Sequence, residues 1–287
     1  MKKLVYSLFI ISLAFSSAKA QDDVGDKKVK LGIAITPAVN WLKPDNANKV
    51  KSGGAVMKMG IGLVADFRLT NIIWFHTGLE YTGAGGKLNY TANDTAVYFY
   101  NNDAIVKVKP EDLVNSSSTV NTTNTYKANQ LLSRNHKVGY IHVPLAFKLK
   151  TKEIGAITYY GQIGGDLFFM TSAKGDDHVN QWNQPYAGFP STGYTTKDLK
   201  SNDIKGSVNF LNAAANVGAG CEYRISGSTA LTVSLQYRHG IMNFTSKDND
   251  YLLRYSYTNA TATTNPFTQF QNATKLRQIV LTVGIMF

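Results

Sequence analysis

Residues 140–150 read YIHVPLAFKLK, and their strict alternation indicates the fold class. The odd positions are all apolar, whereas the even positions include a tyrosine, a histidine and two lysines. Because successive side chains of a β-strand point to opposite faces, this stretch predicts a strand with one uncharged face and one polar face.

The same alternation recurs in eight segments, at residues 29–41, 57–68, 73–81, 140–150, 157–169, 212–224, 231–238 and 278–287. No apolar face carries a charge at mid-segment, while the polar faces are rich in charge and glycine. A soluble sandwich would turn its charged faces outward, so this pattern favours a lipid-facing band around a polar interior. Each segment is about as long as a tilted strand that crosses a bilayer. We predict an all-β fold: a single antiparallel transmembrane β-barrel of eight strands.

Charged and histidine side chains on the polar faces are predicted to line the barrel lumen: Lys58, Asp66, His76, Glu80, His142, Asp166, Glu222 and Arg238. An eight-stranded barrel is only just wide enough for its own side chains. Because buried charges need partners, we expect an ion-paired plug. A narrow selective pore lined by the same residues is the alternative.

The connections between the segments alternate in length. Short turns are predicted at 69–72, 151–155 and 225–229, and long connections at 42–53, 87–137, 171–206 and 243–275. Short periplasmic turns and long extracellular loops are typical of outer-membrane barrels. The length of 87–137 leaves open an extra hairpin and a ten-stranded barrel. The long connections are rich in aromatic residues, which could bind a partner or only shield the barrel: Tyr90, Tyr98, Phe99, Tyr100, Trp182, Tyr186, Phe189, Tyr194, Tyr251, Tyr255, Tyr257, Phe267 and Phe270.

The N-terminus predicts a secretory signal peptide over residues 1–20. Lys2 and Lys3 precede an apolar run, and Ala18-Lys19-Ala20 forms a small-residue cleavage site. Residues 21–28 would then be a short periplasmic segment, and 29–287 the barrel domain. The single Cys221 excludes an intrachain disulfide and zinc sites built from several cysteines.

Several short sequences resemble the PorT-like outer-membrane β-barrel family. They are YIHVPLAFK at 140–148, the glycine-rich QIGG at 162–165, GAGCEY at 218–223, QYRHGIMN at 236–243 and the terminal Phe287. The resemblance implies an outer-membrane barrel and no shared catalytic residues. One member of that family acts in protein secretion, a role that a shared fold does not transfer.

From these features we expect a structural or surface-interaction role through the extracellular loops, without catalysis, cofactor or metal. A small porin-like channel is the alternative, and a hydrolase using His142 or a secretion-pathway component is a weaker one. The near balance of charge in the loops argues against nucleic acid. The expected partners are outer-membrane lipid and lipopolysaccharide, an extracellular ligand or surface, and the barrel-assembly machinery through the C-terminal strand ending at Phe287. Headgroup contacts on the periplasmic side are expected from Lys27, Lys28, Lys30, Lys148, Lys150 and Lys152.

Overall fold

The computed structural model describes residues 28–90, 95–101, 104–113, 127–182, 193–246, 251–255, 267–270 and 273–287. The predicted signal peptide and nearly all of the predicted periplasmic segment therefore lie outside the described residues. Among the described residues no helix is long and apolar enough to cross a membrane.

The described chain forms sixteen strands and two short 3₁₀ helices, at Pro110–Leu113 and Lys205–Ser207. The strands of the first half are β1 (Val29–Ile35), β2 (Ala38–Pro44), β3 (Val50–Ser52), β4 (Val56–Lys58), β5 (Gly60–Arg68), β6 (Ile73–Tyr90), β7 (Thr95–Asn101) and β8 (Ala104–Val106). Those of the second half are β9 (Lys127–Lys150), β10 (Ile157–Trp182), β11 (Tyr194–Asp203), β12 (Leu211–Ser226), β13 (Thr229–Gly240), β14 (Leu253–Tyr255), β15 (Phe267–Gln269) and β16 (Thr274–Met286).

Eight antiparallel strands pair in a closed ring, in the order β1, β5, β6, β9, β10, β12, β13, β16 and back to β1. These are the eight predicted segments. The first is interrupted at Thr36 and Pro37, because proline has no N–H to donate to the ladder, and β2 continues it along β16. The expected all-β antiparallel fold is confirmed.

The extra hairpin in the 87–137 connection exists, but it does not enter the ring. Strand β7 pairs with β9 beyond the last pair that β9 makes with β6, and β8 pairs with β7. The ring therefore contains eight strands, and the ten-stranded alternative is wrong.

The ring is apolar outside and polar inside. On the outer surface, Met57 is 76% exposed, Leu63 64% and Leu235 59%. Inward positions on the same strands carry polar groups such as Asp66 and Gln236, which are buried. An apolar outer band and a polar core are what a lipid-facing barrel requires.

Three ring strands continue well past the apolar band, and with the shorter strands they form what we call the crown. It comprises residues 84–90, 95–101, 104–113, 127–138, 172–182, 193–208, 251–255 and 267–270. In the crown the alternation reverses: Leu88, Val138 and Val179 point inward and are buried, whereas Lys87 and Lys137 are exposed. The crown is thus built as a water-soluble structure on top of a membrane barrel.

Candidate functional site

Seven of the eight predicted lumen residues lie together inside the ring, each at most 7% exposed: Asp66, His76, Glu80, His142, Asp166, Glu222 and Arg238. Lys58 lies apart from them. It is partly exposed at the crown end of the ring, where its side chain lies beside Gly83. There it interacts electrostatically with Lys137 and Asp176.

Asp66 is the centre of the first of two lumenal clusters. Its carboxylate accepts hydrogen bonds from Lys148 Nζ at 3.0 and 3.1 Å and from Lys150 Nζ at 3.3 Å. His76 Nδ1 lies 2.6 Å from the same carboxylate. One acid therefore organises cations from strand β9 and an imidazole from strand β6.

The first cluster extends to strand β12 through Glu222. Lys150 Nζ donates to Glu222 at 2.5 Å, and Lys30 Nζ donates to it at 3.2 Å. Both ammonium groups also lie over the ring of Trp74, at 5.4 Å for Lys30 and 4.3 Å for Lys150. The expected headgroup contacts of Lys30, Lys148 and Lys150 are therefore wrong. All three lysines have even residue numbers, as the inward Asp66 and His142 have. The two-residue repeat of a strand could therefore have predicted that these lysines point into the lumen.

His142 is the centre of the second cluster, nearer the crown. Its Nδ1 lies 3.0 Å from Glu80 Oε2, and its Nε2 lies 2.9 Å from Asp166 Oδ1. Arg238 Nε lies 3.4 Å from Asp166 Oδ2. Because carboxylates engage both ring nitrogens, neither is left to take a proton from a substrate.

The two clusters hold as many acids as lysines and arginines. Lys30, Lys148 and Lys150 contact Asp66 and Glu222, Arg238 lies beside Asp166, and Glu80 contacts His142. Paired in this way, charged groups can be kept out of water at an acceptable cost.

Two inward glycines leave space that neighbouring side chains occupy. A Cβ at Gly62 would lie 2.6 Å from Glu80 Cγ, and one at Gly220 would lie 2.7 Å from the Tyr160 ring. Tyr160 in turn donates to or accepts from Thr232 Oγ1 at 3.0 Å. At these two positions protein atoms occupy the interior, and a larger side chain would not fit.

An aromatic layer covers the second cluster on its crown side. The Phe168 ring stacks on His142 with centroids 4.6 Å apart, and Tyr140 contacts both Phe168 and Phe244 edge-on or tilted. All four residues are fully buried. Aromatic side chains therefore cover the ion pairs on the crown side of the lumen. Within the described ranges, no group of three His, Cys, Asp or Glu residues is arranged to hold a metal ion.

The crown has a polar centre of its own around Asp177. Arg134 donates to both carboxylate oxygens at 2.6 and 2.7 Å, Tyr98 donates at 3.1 Å and Asn202 at 2.9 Å. Burial alone would raise the pKa of Asp177, but the charge and hydrogen bonds of Arg134 hold it below its usual range. This bidentate pair ties strand β9 to β10 well above the apolar band.

A cavity of about 460 Å³ lies beside this pair, within the size range of small-molecule sites. Its wall includes Tyr98, Arg134, Asn202, Lys205 and Tyr251. Ser201, also in the wall, has a φ of 59°, which is unusual for a residue other than glycine. Sequence reasoning missed the cavity because its residues come from five separate segments.

Most described loop aromatics are structural. Tyr98, Phe99, Trp182, Tyr255 and Phe267 are buried in the two hydrophobic clusters of the crown. Tyr186, Phe189 and Tyr257 lie outside the described residues. Fewer of the loop aromatics are therefore exposed to a partner than their number in the sequence suggests.

The chain matches the outer membrane protein beta-barrel domain over residues 20–246, which is most of its length. It belongs to that family. It is therefore an outer-membrane β-barrel protein, and the more specific PorT-like resemblance stays a prediction.

Solved structures similar to this outer-membrane barrel include three bacterial proteins. Neisserial surface protein A is 11% identical, with a TM-score of 0.36, and the match covers 91% of this chain and 96% of that one. Ail of Yersinia pestis, solved with the heparin analogue sucrose octasulfate, is 11% identical at a TM-score of 0.31, covering 91% and 100%. The outer membrane protease OmpT of Escherichia coli is 10% identical at a TM-score of 0.30, covering 92% and 99%. The comparison with curated proteins gives no match.

Proposed function

We propose that this protein is a non-catalytic, non-conducting outer-membrane barrel that presents its crown at the cell surface as a binding structure. The observation that carries the proposal is the filled lumen. Four acids contact three lysines, Arg238 and His142 inside it, and Tyr140, Phe168 and Phe244 cover them. A solute would have to displace both layers in order to pass.

The proposed orientation rests on the ends of the ring. Short connections at 69–72, 151–156 and 227–228 lie at one end, where Phe287 N also donates to Leu31 O. The crown lies at the other end. Outer-membrane barrels keep short turns and chain termini on the periplasmic side, so the crown belongs outside the cell.

The crown is suited to binding because it combines a rigid base with a cavity. Arg134, Asp177, Tyr98 and Asn202 form the base, and their hydrogen bonds fix the wall of the cavity before any ligand arrives. Preorganisation of this kind lowers the entropic cost of binding. The mixed polar and aromatic wall fits a small hydroxylated molecule.

Single-channel recording of the refolded mature chain in a planar bilayer tests the closed lumen. We expect no steady conductance from protein whose folding is verified by circular dichroism. As a positive control, Phe168→Ala and Tyr140→Ala combined with Asp166→Ala and Arg238→Ala remove members of both layers and should produce openings. Steady conductance of the unmodified chain would favour the channel instead.

Surface presentation has its own test in intact cells. A cysteine in place of Lys109, which is exposed in the crown, should react with a membrane-impermeant maleimide when Cys221 is replaced by alanine. A cysteine at Lys152, in a short turn at the opposite end, should react only after the outer membrane is permeabilised. The reverse pattern would overturn the orientation.

A further inference from the structure

Three cations lie side by side on the outer surface of the barrel, just beyond the apolar band. Lys43 of β2 is paired in register with Lys275 of β16, and Arg277 lies two residues further along β16. By alternation all three share the outward face with Val39 and Ile279, which are 39% and 44% exposed. We call Lys43, Lys275 and Arg277 the basic triad.

Aromatic side chains flank the triad at the edge of the band. Arg277 is paired with Trp41 on one side and with His239 on the other. The rings of Trp41 and Tyr237 are 6.4 Å apart. Tryptophan and tyrosine at this level mark the boundary between hydrocarbon and headgroups, so the triad lies at headgroup depth.

The triad differs from the lumenal lysines, Arg134 and Lys137 because none of its members contacts a carboxylate among the described residues. The lumenal lysines, Arg134 and Lys137 each contact a carboxylate. Within the part of the chain that the structure describes, no ion pair involves Lys43, Lys275 or Arg277, and the buried Nε of Arg277 has no hydrogen-bond partner. Three adjacent positive charges repel one another, and an anion between them would remove that repulsion.

We propose that the basic triad binds the phosphate of an outer-leaflet glycolipid. At headgroup depth the anion within reach of the triad is that of a lipid. The three side chains can donate to the oxygens of a phosphate, which arginine binds in bidentate fashion. Trp41 and Tyr237 would contact the sugar and the upper acyl chains. This inference rests on the proposed orientation of the crown, which places the triad in the outer leaflet.

Thermal unfolding in vesicles tests the site. The full mature chain is reconstituted in phosphatidylcholine with increasing fractions of bis-phosphorylated lipid A, and in parallel with dephosphorylated lipid A. We expect Tm to rise with the phosphorylated lipid only. Lys43→Gln with Lys275→Gln should weaken the half-saturation point about 25-fold, which is about 2 kcal/mol at about 1 kcal/mol per lysine near a membrane surface.

Lys28→Gln with Lys152→Gln is the matched control, because it removes two exposed lysines at the other end of the ring. It should leave the half-saturation point unchanged. Equal weakening in the control, or none in the triad variant, would overturn the site. A Tm rise from inorganic phosphate in pure phosphatidylcholine would overturn the assignment to lipid. Reconstituted vesicles carry lipid A in both leaflets, so the Tm result does not depend on the orientation of the barrel. A failure of the cysteine-labelling experiment would therefore leave the Tm result unchanged.

Discussion

Replacing Asp66 with asparagine should destabilise the barrel because it leaves one lysine without a partner. Lys148 is 3% exposed, and among the described residues Asp66 is the only carboxylate that it contacts. Lys150 loses a contact too, but it keeps Glu222 at 2.5 Å. Removing one member of a buried ion pair typically costs about 3–5 kcal/mol, so we expect that loss in the free energy of unfolding.

The second variant in this experiment separates an unpaired charge from general damage. Asp66→Asn combined with Lys148→Met removes both members of the pair and leaves an apolar chain near Tyr160, over which the Lys148 ammonium now lies at 5.0 Å. Replacing a whole buried pair by apolar groups is often close to neutral. The double variant should therefore regain at least half of the stability that the single variant loses.

Urea unfolding in phospholipid vesicles, followed by tryptophan fluorescence, measures both variants. Trp74 lies in the affected cluster and reports on it directly. A double variant no more stable than Asp66→Asn would refute the reasoning, because the cost would then not come from the charge on Lys148. A loss below about 1 kcal/mol in the single variant would mean that water, not protein, solvates this part of the lumen.

The remaining predictions concern the outer surface, the crown and the packing of the lumen. Val233→Arg, at mid-strand on the lipid face, should cost about 2–4 kcal/mol in vesicles, and a neutral result would mean that inside and outside are exchanged. Burial and the charge of Arg134 lower the pKa of His136 to about 3, so the unfolded chain binds the extra proton and stability falls as pH drops below 6.5. Between pH 6.5 and 5 this costs about 2 kcal/mol, and pH-dependent urea titrations should show the slope flattened in His136→Gln. Gly220→Leu should lower Tm because the new side chain meets the Tyr160 ring, whereas Gly161→Leu, where nothing lies near the glycine, should not.

The ring could be predicted from the sequence because lipid and lumen impose opposite demands on alternate residues. In residues 140–150, for example, the apolar side chains at odd positions face outward and both lysines face inward, as the pattern indicates. The acids, the two histidines and Arg238 of the lumenal clusters followed from the same parity, whereas Lys30, Lys148 and Lys150 were predicted to contact headgroups. The pairing within the clusters did not follow from parity, since nothing in the sequence says that Lys150 meets Glu222 while Lys148 meets Asp66. Those pairs depend on register and on which strands face each other across the lumen.

The crown escaped prediction because its pattern is the reverse of the pattern that reveals the ring. The segments 73–81, 140–150 and 157–169 stop where the outward residues cease to be apolar, at the level of Lys87, Lys137 and Lys174. The strands nevertheless continue, since Leu88, Val138 and Val179 bury their side chains inward. Leucine and valine occur both on lipid-facing surfaces and in soluble cores, so the sequence does not distinguish the two environments and the structure does.

One hydrophobic cluster that joins the crown to the ring has a consequence for the order of assembly. Leu42 of β2 and Leu276 of β16 are buried in the same cluster as Leu131 of the crown. This cluster is complete only when β16 has paired with β2 and β1, the contact with the greatest separation along the chain. Contacts between distant segments form late, because closing a long loop costs entropy. We therefore expect the crown to reach its full resistance to proteases only when the seam of the barrel is closed, so that this resistance reports completed insertion.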